Sequence, residues 1–436
     1  MRLAARTLLT TIAPGAMLAG ALLATPAAAD QFTTLASFPG STTTNPNGGV
    51  GPYAGVIDVG GTFYGTTEYG GSALSGGGLS SIYGDGTLFS YSTVNGLQTL
   101  ASFTGSATNG PNNGGFLPES HLIDVGGTLY GTTIFGGSQG VGTVFSYSAA
   151  QGLRTLASFG QGNNSAFPVA GLIDVGGTLY GTTDGGGTSP GRGTVFSYDP
   201  TTKTITTRAI FTGANGGSPY AGLLDVNGTL YGTTENGGST VSSSSPGHGA
   251  LFSFNPTNDA ITLLASFTGA NGARPLVGLI DVNGTLYGTT HDGGSTFSSS
   301  NPGDGTLFSY SAANGLQTLV DFTGANGAHP YPRLADVNGI LYGTTTYGGS
   351  AGDGTLFSFD PTSGQLTTLM SFTGPNGALP AATNLLDVNG TLYGTTFAGG
   401  SAGDGTLFSY SVPEPASLAL LGAGVAGLAL ARRRRA

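Results

Sequence analysis

The sequence predicts an all-β fold, a seven-bladed β-propeller of four-stranded blades closed by an N-terminal strand that completes the last blade. Three observations predict it. Tyr-Gly-Thr-Thr occurs seven times, starting at Tyr64, Tyr130, Tyr180, Tyr231, Tyr287, Tyr342 and Tyr393, at spacings of 66, 50, 51, 56, 55 and 51 residues. Self-similarity at such a period marks a repeat architecture. The 81 Gly and 22 Pro among 436 residues fall at fixed offsets between short apolar runs, which is how turns are distributed and not how low-complexity sequence is. Finally, residues 31–40, QFTTLASFPG, match the last part of later units, as in LQTLASFTG at 97–105 and ITLLASFTG at 261–269.

Each element of the unit follows from its residues. In residues 377–410, NLLDV is a short apolar strand. Asn-Gly follows, or Gly-Gly as at Gly126-Gly127, and both pairs accept the positive φ that a two-residue hairpin turn requires. TLYGTT is the second strand and GTLFSY, after a Gly-rich loop, the third. In complete units a turn such as DPTSG (360–364) leads to a fourth strand, QLTTLMSF (365–372). Four short strands in meander order make one propeller blade. Stacking blades buries both faces of each, so adjacent residues such as Leu88 and Phe89 are both apolar although they face opposite ways. Gly65 and its six counterparts lie inside the second strand, where glycine is expected to mark close approach to the next blade or to the axis.

The seventh unit ends at GTLFSYS (405–411) without a fourth strand, and the N-terminus supplies a fourth strand with no blade before it. A ring pairs the two. An open array would leave an unpaired edge of the kind natural proteins avoid.

Three segments are expected: a secretory signal over 1–29, the propeller over 30–411 and a C-terminal tail over 412–436. Residues 1–29 carry Arg2 and Arg6, an apolar stretch and Ala27-Ala28-Ala29, the pattern of a cleaved secretory leader. At the other end, Pro413, Glu414 and Pro415 precede a 16-residue apolar run and the tail Arg432, Arg433, Arg434 and Arg435. That run is shorter than the roughly 20 residues of a full span, and its basic flank favours the cytoplasmic side. The chain has no Cys, which excludes disulfides and thiolate metal sites. Of 12 Lys and Arg, two lie in the leader and four in the tail; the six that remain face all 22 acidic residues, a balance near −16. Such a surface repels phosphate backbones, so no nucleic-acid partner is expected.

The tail resembles the PEP-CTERM sorting signal of Gram-negative bacteria, since triplet, apolar helix and basic end occur in order. That resemblance implies processing by an exosortase, transient membrane association through the helix, and delivery to the cell surface or the exopolysaccharide matrix. The repeat unit, DVNGTLYGTT…GG…GDGTLFSY, resembles the Gloeo_Verruco (GloVer) tandem repeat, which implies an extracytoplasmic repeat protein without defined chemistry. A more distant likeness to kelch blades, in the Gly-Gly after the second strand and in YDPTTKT or FDPTSGQ after the third, bears on fold only.

Candidate sites belong on the face that carries the long second-to-third loops and the blade links, because variable loops on a rigid scaffold carry function. Tyr53, Tyr220 and Tyr331 follow a proline before the first strand, with Phe116 and Phe167 nearby; they either form aromatic platforms for sugar rings or pack the links. Asp58, Asp124, Asp174, Asp225, Asp281, Asp336 and Asp387 recur in every unit, as a carboxylate ring or, preferably, as side chains bonded to the adjacent turn. The residue before the third strand varies: Asp85, Val141, Arg192, His248, Asp304, Asp353 and Asp404. It is expected in an exposed, permissive turn, the other choice being a catalytic His248 beside an acid. His121, His291 and His329 lie in different units without metal-ligand spacing, so no metal, cofactor or catalytic residue is assigned. The expected function is a non-catalytic surface or matrix protein that engages exopolysaccharide or surface proteins. The alternative is a propeller enzyme, lyase or hydrolase, acting on extracellular polysaccharide.

Overall fold

A computed structural model describes residues 31–413, apart from 41–47, 72–83, 106–113, 161, 163, 188–190, 243–244, 299 and 381–383. The leader at 1–29 lies outside the described residues. So do Glu414, Pro415, the C-terminal apolar run and the four terminal arginines, while Pro413 is the last residue described. Among the described residues no helix is long and apolar enough to cross a membrane, so the membrane association expected of the tail is not placed by the fold.

The described residues form seven four-stranded antiparallel sheets set around an axis, with strands in meander order. Blade 1 comprises Ile57–Val59, Thr62–Thr67, Thr87–Ser92 and Gly96–Ser102. Blades 2 to 6 repeat this plan. First strands of successive blades approach one another, as Ile57–Val59 does Ile123–Val125, which places them innermost. Their hairpin turns take positive φ at both central residues, 53° at Asn227 and 82° at Gly228 in blade 4, as Asn-Gly predicts. Every fourth strand carries one extra residue opposite the third strand, for example Leu100 between the pairs Leu88–Ala101 and Phe89–Thr99. Such a bulge increases local twist.

Blade 7 is closed as the sequence predicts. Its strands Leu386–Val388, Thr391–Thr396 and Thr406–Ser411 are completed by Phe32–Ser37 from the N-terminus. Phe32 lies opposite Tyr410, Thr34 opposite Phe408 and Ser37 opposite Thr406. The Tyr410 hydroxyl donates to Gln31 Oε1 at 2.8 Å, and the Phe32 ring stacks on Phe408 at 5.3 Å.

The cores lie between blades. Leu88 joins the cluster shared with blade 2, containing Phe103, Leu122, Leu129 and Phe145. Its neighbour Phe89 joins the cluster shared with blade 7, containing Phe38, Val56, Phe63 and Leu407. The Phe that follows each fourth strand meets the third-strand Phe of the next blade, with centroids 4.9 to 5.5 Å apart at all seven junctions. This is the purpose of the recurrent Ser-Phe or Asp-Phe: each blade ends by inserting a ring into its successor.

The Tyr-Gly-Thr-Thr motif resolves residue by residue. The glycine makes room within its own blade. A Cβ on Gly65 would lie 2.6 Å from Cζ of Phe89, its cross-strand partner, and the other six glycines face the equivalent Phe at 2.5 to 2.7 Å. The expected approach to the next blade or the axis is therefore corrected. The first threonine joins blades: Oγ1 of Thr66, Thr132, Thr182, Thr233, Thr344 and Thr395 donates to a proline carbonyl in the next blade's link, at 2.8 to 3.5 Å. Thr395 to Pro52 spans the closing junction. At the junction of blades 5 and 6, where the link reads Pro330-Tyr331-Pro332, Thr289 Oγ1 is buried without a partner among the described residues. The second threonine stays within its blade, as Thr67 donates to Tyr69 O and pairs with Thr87 Oγ1.

Two measurements of stability follow. Deleting residues 31–38 should lower the urea midpoint of the whole domain in one cooperative transition, because it opens blade 7 and both cores that flank it. Thr395→Val should cost about 1 kcal/mol, the net worth of one buried hydrogen bond, whereas Thr289→Val should cost nothing. Equal losses in the two valine variants would refute the clasp assignment.

Candidate functional site

Seven proline-led links converge on the axis at the long-loop face. In each, the residue before the proline adopts the left-handed region: Leu117, Phe167, Ser218, Arg274, His329 and Leu379 have φ of 52–61°, and Gly51 has 62°. Such backbone is costly for a residue that carries a Cβ. It is held by two main-chain hydrogen bonds. In the Arg274 link, Arg274 N donates to His248 O at 2.9 Å, and His291 N donates to Arg274 O at 3.0 Å. The first acceptor is the variable residue before the third strand. Its carbonyl does the same in all seven units, so its side chain is free to differ. The expected exposed turn is corrected: Asp85 is buried and the other six are half-buried.

The repeated aspartates serve the opposite end of the blades. The Asp58 carboxylate accepts from Gly61 N at 2.7 Å, and Asp124, Asp174, Asp225, Asp336 and Asp387 accept from the equivalent turn glycine at 2.7 to 3.0 Å. Asp281 occupies the same register, opposite Leu286. The carboxylates are thus separate from one another, six of them engaged with their own turns.

The five aromatic candidates separate into two groups. Tyr53, Tyr220 and Tyr331 line a cavity on the axis. Tyr53 and Tyr331 meet edge to face at 6.0 Å, and Tyr53 also meets Phe397. Burial raises the pKa of all three phenols, that of Tyr331 to about 12. Phe116 and Phe167 instead flank Phe135, at 5.3 and 5.6 Å, and pack the links beside blade 2.

The residue three before each repeated Asp forms the innermost ring: Gly55, His121, Gly171, Gly222, Gly278, Arg333 and Asn384. Four units have glycine there; blades 2, 6 and 7 do not. The glycines accommodate the large side chains. A Cβ on Gly171 would lie 2.5 Å from the His121 ring, and one on Gly222 at 3.3 Å. One on Gly278 would lie 3.5 Å from Arg333 Cδ. Arg333 N donates to Asn384 Oδ1 at 3.3 Å. The cavity has a volume of about 60 Å³ and is also lined by Glu119. Burial, then the nearby Arg333 charge, pushes the His121 imidazole down to about 4. Burial, then Glu68, pushes the Glu119 carboxyl up to about 8, and burial raises Glu68 too. At neutral pH both His121 and Glu119 are therefore mostly uncharged. Sequence reasoning missed this ring. Its signal is present in the sequence, since three residues depart from glycine at one register, but no motif marks that register as axial.

A second cluster adjoins it. His291 Nδ1 lies 2.7 Å and His329 Nδ1 3.2 Å from Asp292 Oδ1, while Arg274 donates to Asp292 Oδ2 at 3.1 Å and to Glu235 Oε1 at 2.9 Å. The two histidines, 38 residues apart in sequence, come together across the junction of blades 5 and 6, with ring centroids 4.6 Å apart. Burial opposes ionisation of Asp292, but hydrogen bonds from His291 and His329 hold its carboxyl well below the usual range. His329 is raised by the same hydrogen bond. His291, Asp292 and His329 place ligand-type atoms within 4.8 Å of one another, a composition that their separation in the sequence hides. Both Nδ1 atoms face an ionised carboxylate that only accepts, so both carry hydrogen, and His329 Nδ1 also lies 3.0 Å from His291 O. Arg274 shares its single charge between Asp292 and Glu235. The cluster is thus a closed hydrogen-bond network. His291 also meets Tyr331 edge to face at 5.8 Å, so it is continuous with the cavity wall.

Comparison with known proteins agrees with this architecture. The family model for the Gloeobacter/Verrucomicrobia repeat matches residues 8–244 and 238–421. The PEP-CTERM protein-sorting motif matches residues 411–435. No curated protein matches the chain. Among solved structures, the extracellular domain of a putative hybrid two-component system from B. thetaiotaomicron superposes with a TM-score of 0.53 at 13% identity, over 88% of this chain and 40% of that one. The chain thus spans less than half of that longer protein, and a likeness at this identity bears on the fold alone.

The half-buried Glu119 makes stability pH-dependent with a defined sign. Its folded pKa lies above the unfolded value, so ionisation costs stability as pH rises from about 4.5 to about 8. Glu119→Gln should melt with the wild type at pH 4 and several degrees above it at pH 8, as read by thermal denaturation across that range. A constant difference would contradict the burial of this carboxyl.

Proposed function

The chain belongs to the Gloeobacter/Verrucomicrobia repeat family and carries a PEP-CTERM sorting motif, and from that premise we propose that it is an exosortase-sorted surface or matrix protein whose propeller is a binding scaffold. The motif indicates export and cell-surface sorting. The partner is an extracellular polysaccharide of the host, a Gram-negative bacterium, met by the long-loop face. One observation carries the ligand assignment. The departures from sevenfold symmetry that bring polar and ionisable side chains together concentrate around the axial mouth, with Tyr53, Tyr220 and Tyr331 in its wall. Rings of this kind combine apolar faces with polar edges, which suits a hydroxyl-rich polymer. Tyr347, 46% exposed, stands beside His329 at 5.8 Å and extends this surface outward. The opposite rim repeats one turn and one aspartate, as scaffold does.

A second proposal, a polysaccharide lyase or hydrolase, is favoured by Glu119. A carboxyl raised to about 8 holds its proton at neutral pH, as a general acid must. The two proposals separate in one experiment. The purified protein is screened for binding to the host exopolysaccharide and for release of reducing ends from it. The scaffold proposal expects saturable binding without turnover, and a loss of affinity of roughly tenfold in Tyr347→Ala, as for one aromatic contact of 1–2 kcal/mol. Turnover abolished by Glu119→Gln would replace it with the enzyme.

A further inference from the structure

We infer that the axial cavity is an anion site that takes a single carboxylate group against the Arg333 guanidinium. The inference does not depend on which polymer the outer face meets. It concerns one charge on the axis.

Arg333 lies at a register where four other blades carry glycine, and its side chain runs across the axis past Gly278. Its Nε is buried and has no hydrogen-bond partner. Among the described residues it forms no salt bridge, unlike Arg208 and Arg274, which are both paired. Burial lowers its pKa, yet a guanidinium keeps its charge in any protein. The side chain is half-buried, and a partly desolvated charge without a partner is costly. The neighbouring groups do not offset it. Glu119 shares the cavity but is held mostly protonated at neutral pH. His121 is neutral there and offers a ring N–H. The Asn384 Oδ1 is already engaged by Arg333 N, which leaves its amide N–H groups as donors. The wall thus offers Arg333 neutral donors and acceptors, and among the described residues no ionised carboxylate at neutral pH.

Size narrows the ligand. One water needs about 10–15 Å³ of space open to its centre, so a cavity of about 60 Å³ holds a few waters or one carboxylate group. A planar carboxylate also matches the guanidinium fork. The group enters either as a free small acid or as the acid substituent of a uronic sugar whose ring stays at the tyrosine-lined mouth.

The test is calorimetric titration of the purified protein in HEPES at pH 7 without added salt, with sodium acetate and sodium glucuronate as separate probes. Saturable one-to-one binding is expected for acetate, weakened at least tenfold in Arg333→Gly and retained in part in Arg333→Lys. Arg333→Gly introduces the residue that four blades already carry, and its thermal transition, together with the Arg333→Lys titration, separates loss of the site from loss of the fold. Tighter binding of glucuronate than of acetate identifies a sugar-borne carboxylate; equal or weaker binding identifies a free small acid. No saturable heat with either probe, or heat undiminished in Arg333→Gly, overturns the inference. Failure of polysaccharide binding leaves it standing, because acetate does not need the outer face.

Discussion

The pairing of Phe32–Ser37 with Thr406–Ser411 is the constraint on which the rest depends. Every hydrophobic core lies between two blades, so an unclosed chain would leave a blade face uncovered at each end of the array. The N-terminal strand prevents both. Phe32 packs towards Phe372 and Phe408 on one side, and Phe38 meets Phe89 on the other. Closure therefore couples the first and last cores and makes seven weakly independent sheets one cooperative body. With no disulfide available, backbone pairing and side-chain packing carry that work.

The scaffold is made from repeated parts with separate tasks. Phe beside Gly fills each blade, the first threonine clasps the next blade's proline, the second ties the loop to its strand, and Asp holds the hairpin of the innermost strand. Main-chain hydrogen bonds in the links leave the side chains there free to vary.

Electrostatics at the mouth follow from burial. Carboxyls there are raised and hold protons, as Glu119 does, unless a cation or a hydrogen-bond donor meets them, as His291, His329 and Arg274 meet Asp292. Two neighbouring regions of one face thus treat similar side chains in opposite ways. One is a hydrogen-bonded network of unlike charges, and the other holds a guanidinium that has no ion-pair partner among the described residues. In a low-dielectric setting that difference decides what each can do.

The sequence by itself determined the class, the number of blades, the meander of each, the joining of the ends and the sorting motif. All of these are local or periodic: turn pairs, strand alternation and repeat phase are written in contiguous residues, and closure follows from a missing strand at one end and a spare one at the other. It offered Tyr53, Tyr220 and Tyr331 together with Phe116 and Phe167, as platforms or as link packing, without separating the two groups. Only the tertiary structure decided which residues share the axis. His121, Arg333 and Asn384 lie up to 263 residues apart in the chain and meet because seven radial sheets direct the same register inward. The pairing of His291 with His329, the proton on Glu119 and the solitary charge on Arg333 are products of burial and neighbours brought together by the ring, and no stretch of contiguous sequence encodes them.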